Sequence, residues 1–206
     1  AGLVRGAHWR NFLARYSESN RMHKKAAALS ELCRLRGDPP SARHAVGRAQ
    51  CNDSYWHGVF GGLYLRHLRG AVWANLAEAE GILRNGEPLA FEVVDLDEDG
   101  NEEIWVHSDA FSGLVAPARG GAVEEWTLFQ RRTNLADTLT RRREAYHRDV
   151  ALAPAHAPAD DGGMPSIHAL EEGLHFDTLP PVDRDDRAIG VVRILEAGLG
   201  PAAYGA

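Results

Sequence analysis

The sequence predicts an α+β multidomain fragment: a three-helix region over residues 1–87, then an antiparallel β-sandwich domain, possibly truncated, over residues 88–206. Three observations carry this expectation. Up to residue 87, apolar side chains recur at three- and four-residue spacings, the mark of helices with one buried face. From residue 88 they fall into short runs between Gly, Asp and Pro, the mark of strands joined by turns. With 206 residues, 44% hydrophobic and 25% charged, the chain can also build a core without disulfide staples.

Trp9, Phe12, Leu13 and Tyr16 form the first apolar stripe. Ser17-Glu18-Ser19-Asn20 offers N-cap candidates for a second helix carrying Met22, Ala26, Leu29, Leu32 and Cys33. Gly37-Asp38-Pro39-Pro40 stops that helix. A third is predicted from about Gly62 to Leu83, with Leu65, Leu68, Val72, Leu76, Ala79 and Leu83 on its apolar face, closed by Asn85-Gly86 and Pro88. The strand-like runs are Phe91–Val94, Glu103–His107, Gly113–Ala116, Glu124–Phe129 and, near the C-terminus, Ile189–Leu195. Ala151 to Gly163, rich in Ala, Pro, Asp and Gly, reads as a mobile connection.

Composition excludes several functions. A formal net charge of -6 argues against binding a phosphate backbone, so no nucleic-acid partner is expected. No run approaches the roughly 18 apolar residues of a membrane span, so no membrane partner is expected either. Two cysteines, Cys33 and Cys51, make no disulfide framework and point to a reducing, cytoplasmic compartment. Ala1 is not an initiator Met, and the opening residues read as mid-domain sequence, the expectation for a piece of a longer chain. The histidines show no metal spacing, and HExxH, CxxC, Walker and GxSxG patterns are missing, so no cofactor or metal is expected.

The densest group of functional side chains is Gln50-Cys51-Asn52-Asp53-Ser54-Tyr55-Trp56-His57-Gly58-Val59-Phe60-Gly61-Gly62-Leu63-Tyr64. An indole can stack on the C–H face of a pyranose while Asp, Asn and His bond its hydroxyls, and glycines let the backbone turn tightly. The same residues have a plainer reading, with aromatics packed into a core, His57 a structural histidine and Asp53 a helix cap. Spacing alone leaves both open.

The run Gln50–Arg69 closely resembles the last conserved block of the catalytic region in glycoside hydrolase family 57, in its 4-α-glucanotransferase and α-amylase branch. Trp9–Leu13 and Asn20–Lys25 resemble the helical region just after that family's barrel. Asp95–Gly100, Gly120-Gly121, Asn134–Arg142 and Glu144–His147 resemble its C-terminal β-sandwich. The similarity covers most of residues 8–147. It implies an α-1,4-glucan or maltooligosaccharide substrate, with Asp53 and Trp56 binding sugar in the active-site cleft and His57 beside them. It also implies a retaining mechanism, whose two carboxyls stand roughly 5–5.5 Å apart. Those residues, a glutamate nucleophile and an aspartate acid/base, would lie on a barrel upstream in the same polypeptide. Neither matching motif occurs in this chain, so no catalytic residue is assigned here and the chain alone is expected to be inactive. A non-catalytic carbohydrate-binding or structural module is the alternative.

Two other clusters have two readings each. Asp95-Leu96-Asp97-Glu98-Asp99-Gly100 could wrap a cation, but Val106 stands where an EF-hand places its bidentate Glu, and Asp-Gly between strands commonly makes a turn. Arg141-Arg142-Arg143, with Tyr146 and His147, could be an anion or nucleic-acid patch, but such a triplet is more often a solvated face or a set of domain-contact salt bridges.

Overall fold

A computed structural model of the chain describes residues 9–56, 61–144, 147 and 181–200. Among them are four helices, α1 (Trp9–Arg15), α2 (Ser17–Leu35), α3 (Pro40–Ala49) and α4 (Arg66–Leu83), and single 3₁₀ turns at Asn52–Ser54 and Gly62–Tyr64. Five strands follow, β1 (Ala90–Val94), β2 (Glu103–His107), β3 (Phe111–Ala116), β4 (Ala122–Leu128) and β5 (Thr133–Asn134). They form one antiparallel sheet in sequence order. A helical part followed by an antiparallel β part is therefore what the sequence pattern predicts, with one helix more than the three expected.

That extra helix is α3. Gly37 (φ 80) ends α2 in a left-handed turn, where the Asp38 N–H donates to Cys33 O at 2.8 Å, and the proline pair that follows starts α3: Pro39 is extended (φ -61, ψ 127) and Pro40 occupies the first turn, where a missing N–H costs nothing. Ala42, Ala45, Val46 and Ala49 then form its buried stripe. The proposed caps of α2 are also corrected. Tyr16, not one of Ser17–Asn20, is the N-cap residue. The polar residues behind it reach outward instead: Glu18 accepts the Thr140 N–H at 2.8 Å, Ser19 donates to Tyr55 O at 2.5 Å and Asn20 donates to Asp97 O at 2.7 Å. Helix α4 begins at Arg66 rather than Gly62, because Gly61 (φ 93) and Gly62 (φ 46) hold a left-handed turn that cannot open a helix. The Ile189 run makes a single bridge to Val123 and does not continue as a strand.

The helices cover one face of the sheet. One cluster of buried residues runs through both parts, from Met22, Leu29, Val72 and Leu76 of the helices to Leu96, Trp105 and Leu114 of the sheet. The opposite face carries exposed Phe91, Val93 and Trp126, and among the described residues there is no second sheet over it. The mobile connection expected at 151–163 lies outside the described residues.

Candidate functional site

The loop between α3 and α4 holds the predicted sugar contacts. Asn52–Ser54 makes a 3₁₀ turn in which Asp53 is exposed, while Ser54 and Tyr55 point inward. Ser54 Oγ donates to Leu68 O of α4 at 3.1 Å, and the Tyr55 hydroxyl donates to Ala49 O of α3 at 2.7 Å. Burial pushes the Tyr55 phenol well above its ordinary pKa. Of the cluster's two phenols, Tyr55 is thus a structural strut. Trp56, by contrast, is 43% exposed, enough to offer a ring face to a ligand. His57, the third predicted contact, lies outside the described residues.

Gly62 locks this loop. Its φ of +46 lies in the left-handed region, and a Cβ there would overlap Trp56 O and stand 3.0 Å from Asp53 O. The Leu63 N–H donates to Trp56 O at 2.8 Å and closes the same turn. One glycine therefore fixes the backbone beneath both proposed sugar contacts, and their side chains emerge from a single exposed turn. Buried Arg69 anchors the far side: Nη1 donates to Leu63 O at 2.6 Å and Nε to Asp137 Oδ1 at 2.8 Å.

The sequence did not announce one neighbouring cluster. Tyr16 Oη donates to Glu144 Oε2 at 2.8 Å and Arg15 reaches the same oxygen at 3.1 Å. The Tyr64 phenol, directly after the Gly61-Gly62 turn, hydrogen-bonds with Tyr16 and Glu144, and burial raises its pKa far above the usual phenol value. Glu144 is held below its ordinary range by these donors against the opposing effect of burial. The partners are up to 129 positions apart, a separation that no local pattern encodes.

The remaining clusters resolve structurally. Arg142 pairs with Glu18 at 2.8 Å and Asp186 at 2.6 Å, and Arg141 with Asp183 at 2.7 Å, so both arginines sit in contacts between segments. In the acidic loop, Asp95 accepts the N–H groups of Asp99 and Gly100, each at 3.0 Å, and Asp99 accepts that of Asn101 at 2.8 Å. These bonds build a turn. The oxygens of Asp95, Asp97 and Asp99 also lie within 4.8 Å of one another. No helix among the described residues is long and apolar enough to cross a membrane.

A helical layer on an antiparallel sheet thus presents an indole and a carboxylate from one glycine-locked turn, residue types that can hold a sugar ring. The chain belongs to the α-amylase/4-α-glucanotransferase family: residues 7–83 match its middle domain and residues 95–188 its C-terminal domain. It is 41% identical over 191 residues to an α-amylase of Pyrococcus abyssi, covering 93% of this chain and 28% of that protein. It is 43% identical over 169 residues to a 4-α-glucanotransferase of Thermococcus kodakarensis, covering 82% and 24%. The crystal structure of 4-α-glucanotransferase from Thermococcus litoralis superposes with a TM-score of 0.63 at 44% identity, over 70% of this chain and 22% of that one. The chain thus spans about a quarter of the length of the relatives it matches.

Proposed function

We propose that this chain is the glucan-contacting, non-catalytic part of a retaining α-glucan-processing enzyme, a 4-α-glucanotransferase or α-amylase. Its helical part (residues 1–87) completes the active-site cleft, and its β part (residues 88–206) supports it. The observation that carries this reading is the pairing of half-exposed Trp56 with exposed Asp53 on one turn pinned by Gly62. Trp56 stacks on a glucosyl ring, Asp53 accepts hydrogen bonds from sugar hydroxyls, and His57 adjoins them. Among the described residues Asp53 makes no hydrogen bond or ion pair, so its acceptor capacity is open to a ligand. The nucleophile and acid/base belong to an upstream barrel of the same polypeptide, and the setting is cytoplasmic.

Titration of the chain with a maltooligosaccharide series tests this. Trp56→Ala and Asp53→Ala each weaken binding about 10-fold or more, the scale of one lost stacking or charged contact. Undiminished affinity in both variants would remove the loop from the sugar site. The chain alone releases no maltose from these substrates; measurable release would place catalytic groups within it.

A further inference from the structure

A cleft of about 480 Å³ opens between the first turns of α4 and the hairpin joining β4 to β5. Arg66, His67 and Gly70 line its helical side; Arg132, Asn134 and Asp137 line the other. Three independent features of this cleft ask for an anion.

The first is an orphan donor. Asn134 is only 6% exposed, and its Oδ1 accepts the N–H groups of Trp126 at 3.0 Å and Ala136 at 2.9 Å. Those two bonds fix which end of the amide is oxygen. The Nδ2 is left buried with no partner, and a buried donor without an acceptor costs about 1–3 kcal/mol. The second is the helix end. Helix α4 has 18 residues, no side-chain cap and no acidic residue in its first turn, so its positive terminus is uncompensated where Arg66 and His67 meet the cleft. The third is local charge. Asp137 is already matched by Arg69 at 2.8 Å, and Glu78 by Arg48 at 2.9 Å and Arg132 at 3.2 Å. Exposed Arg66 has no such partner among the described residues.

The one carboxylate lining this wall, Asp137, has its charge already matched by buried Arg69, so it does not repel an anion there. We propose that the cleft takes a small oxyanion, a phosphate or the phosphoryl group of a phosphorylated sugar, with Asn134 Nδ2 and the Arg66 guanidinium as donors and Arg132 closing the hairpin side. No described residue of the Asp53–Trp56 turn lines this cleft, so the proposal stands whether or not that turn binds sugar.

Calorimetric titration with inorganic phosphate, glucose 6-phosphate and maltose tests it. Asn134→Asp keeps the Oδ1 that holds Trp126 and Ala136 but turns the donor into an acceptor, and Arg66→Ala changes an exposed side chain. Each is expected to weaken oxyanion binding at least ten-fold while circular dichroism stays as in the parent. Tighter binding of glucose 6-phosphate than of phosphate identifies a phosphorylated sugar as the ligand, and equal affinity identifies free phosphate. Failure of both to bind the parent chain, affinity unchanged in either variant, or maltose binding that Asn134→Asp abolishes while phosphate does not compete, overturns the proposal.

Discussion

Lys25 Nζ lies 3.1 Å from Glu125 Oε2, with the two side chains only 1% and 2% exposed. The pairing depends on a bulge. Between Leu114 and Val115 the register of β3 on β4 slips, so consecutive Glu124 and Glu125 both turn toward the helices. Arg21 and Lys25, one turn apart on α2, meet them: Arg21 reaches Glu124 at 3.2 Å, and Lys25 also holds Glu80 of α4 at 2.9 Å. The ammonium stands 4.3 Å from the Trp105 ring centroid, and Ser112 Oγ accepts its proton at 2.9 Å. Helices and sheet are thus joined by charge as well as by apolar contact.

Removing Lys25 strands one of its two partners. Lys25→Met leaves Glu125 buried without its cation, while Glu80 keeps Arg84 at 3.0 Å, and is expected to cost about 3–5 kcal/mol in denaturant unfolding. Burial already raises the Glu125 pKa despite Lys25, so in the variant this carboxyl protonates more readily still. The loss is therefore smaller at pH 5 than at pH 8. The double variant Lys25→Met/Glu125→Leu recovers part of it, because an apolar pair replaces an unmatched charge. A loss below about 1 kcal/mol in the single variant would show the network to be solvated.

Gly62→Ala tests the turn beneath the sugar contacts. A methyl group at φ +46 is strained in itself and here overlaps Trp56 O, so the backbone from Asp53 to Trp56 must shift. Maltooligosaccharide affinity is expected to fall at least as far as in Trp56→Ala, with destabilisation of about 1–3 kcal/mol from local strain. Full affinity in the alanine variant would mean that the loop's conformation does not matter to the ligand.

Much of the fold was legible because it is written in local periodicity. The stripes on α2 and α4 and the runs that became β1 to β4 needed only spacing and turn signals. Helix α3 was hidden because Pro39-Pro40 reads as part of the stop begun by Gly37, while the same pair in fact opens the next helix. Of the site, Asp53 and Trp56 stood out as residue types. Their pinning by Gly62, and the Tyr16–Glu144 bond behind Tyr64, join segments whose proximity only the tertiary fold decides. Glu124-Glu125 was equally opaque, since period-two alternation predicts that one of the pair faces solvent and the bulge buries both.

The outer face of the sheet gives a prediction about association. Phe91, Val106, Gly113 and Trp126 are register partners across β1 to β4, and Phe111 stacks on Trp126 at 6.0 Å. Phe91 is 68% and Trp126 44% exposed. A contiguous apolar row of this kind drives self-association. Phe91→Lys is expected to lower concentration-dependent association in sedimentation equilibrium several-fold with little change in Tm. A drop in Tm beyond the roughly 4–8 °C that corresponds to 1 kcal/mol in a small domain would mean that the face is covered within the monomer.

Glu103 gives the pH dependence. It opens β2, is 3% exposed, and its Oε2 accepts the Leu96 N–H at 2.9 Å. Burial foremost, with the Asp97 charge adding to it, pushes its carboxyl up to about 7. The folded state therefore binds this proton more tightly than the unfolded chain, where an ordinary glutamate titrates near 4.3. Its stabilising contribution is complete below that unfolded value and is lost as pH rises through about 7. Glu103→Gln retains an acceptor for Leu96 but carries no charge. The variant is expected to match the parent near pH 4.5 and to exceed it by on the order of 1–3 kcal/mol at pH 8, with a flatter profile between. Parallel pH profiles for variant and parent would show that Glu103 is ionised throughout this range in the fold.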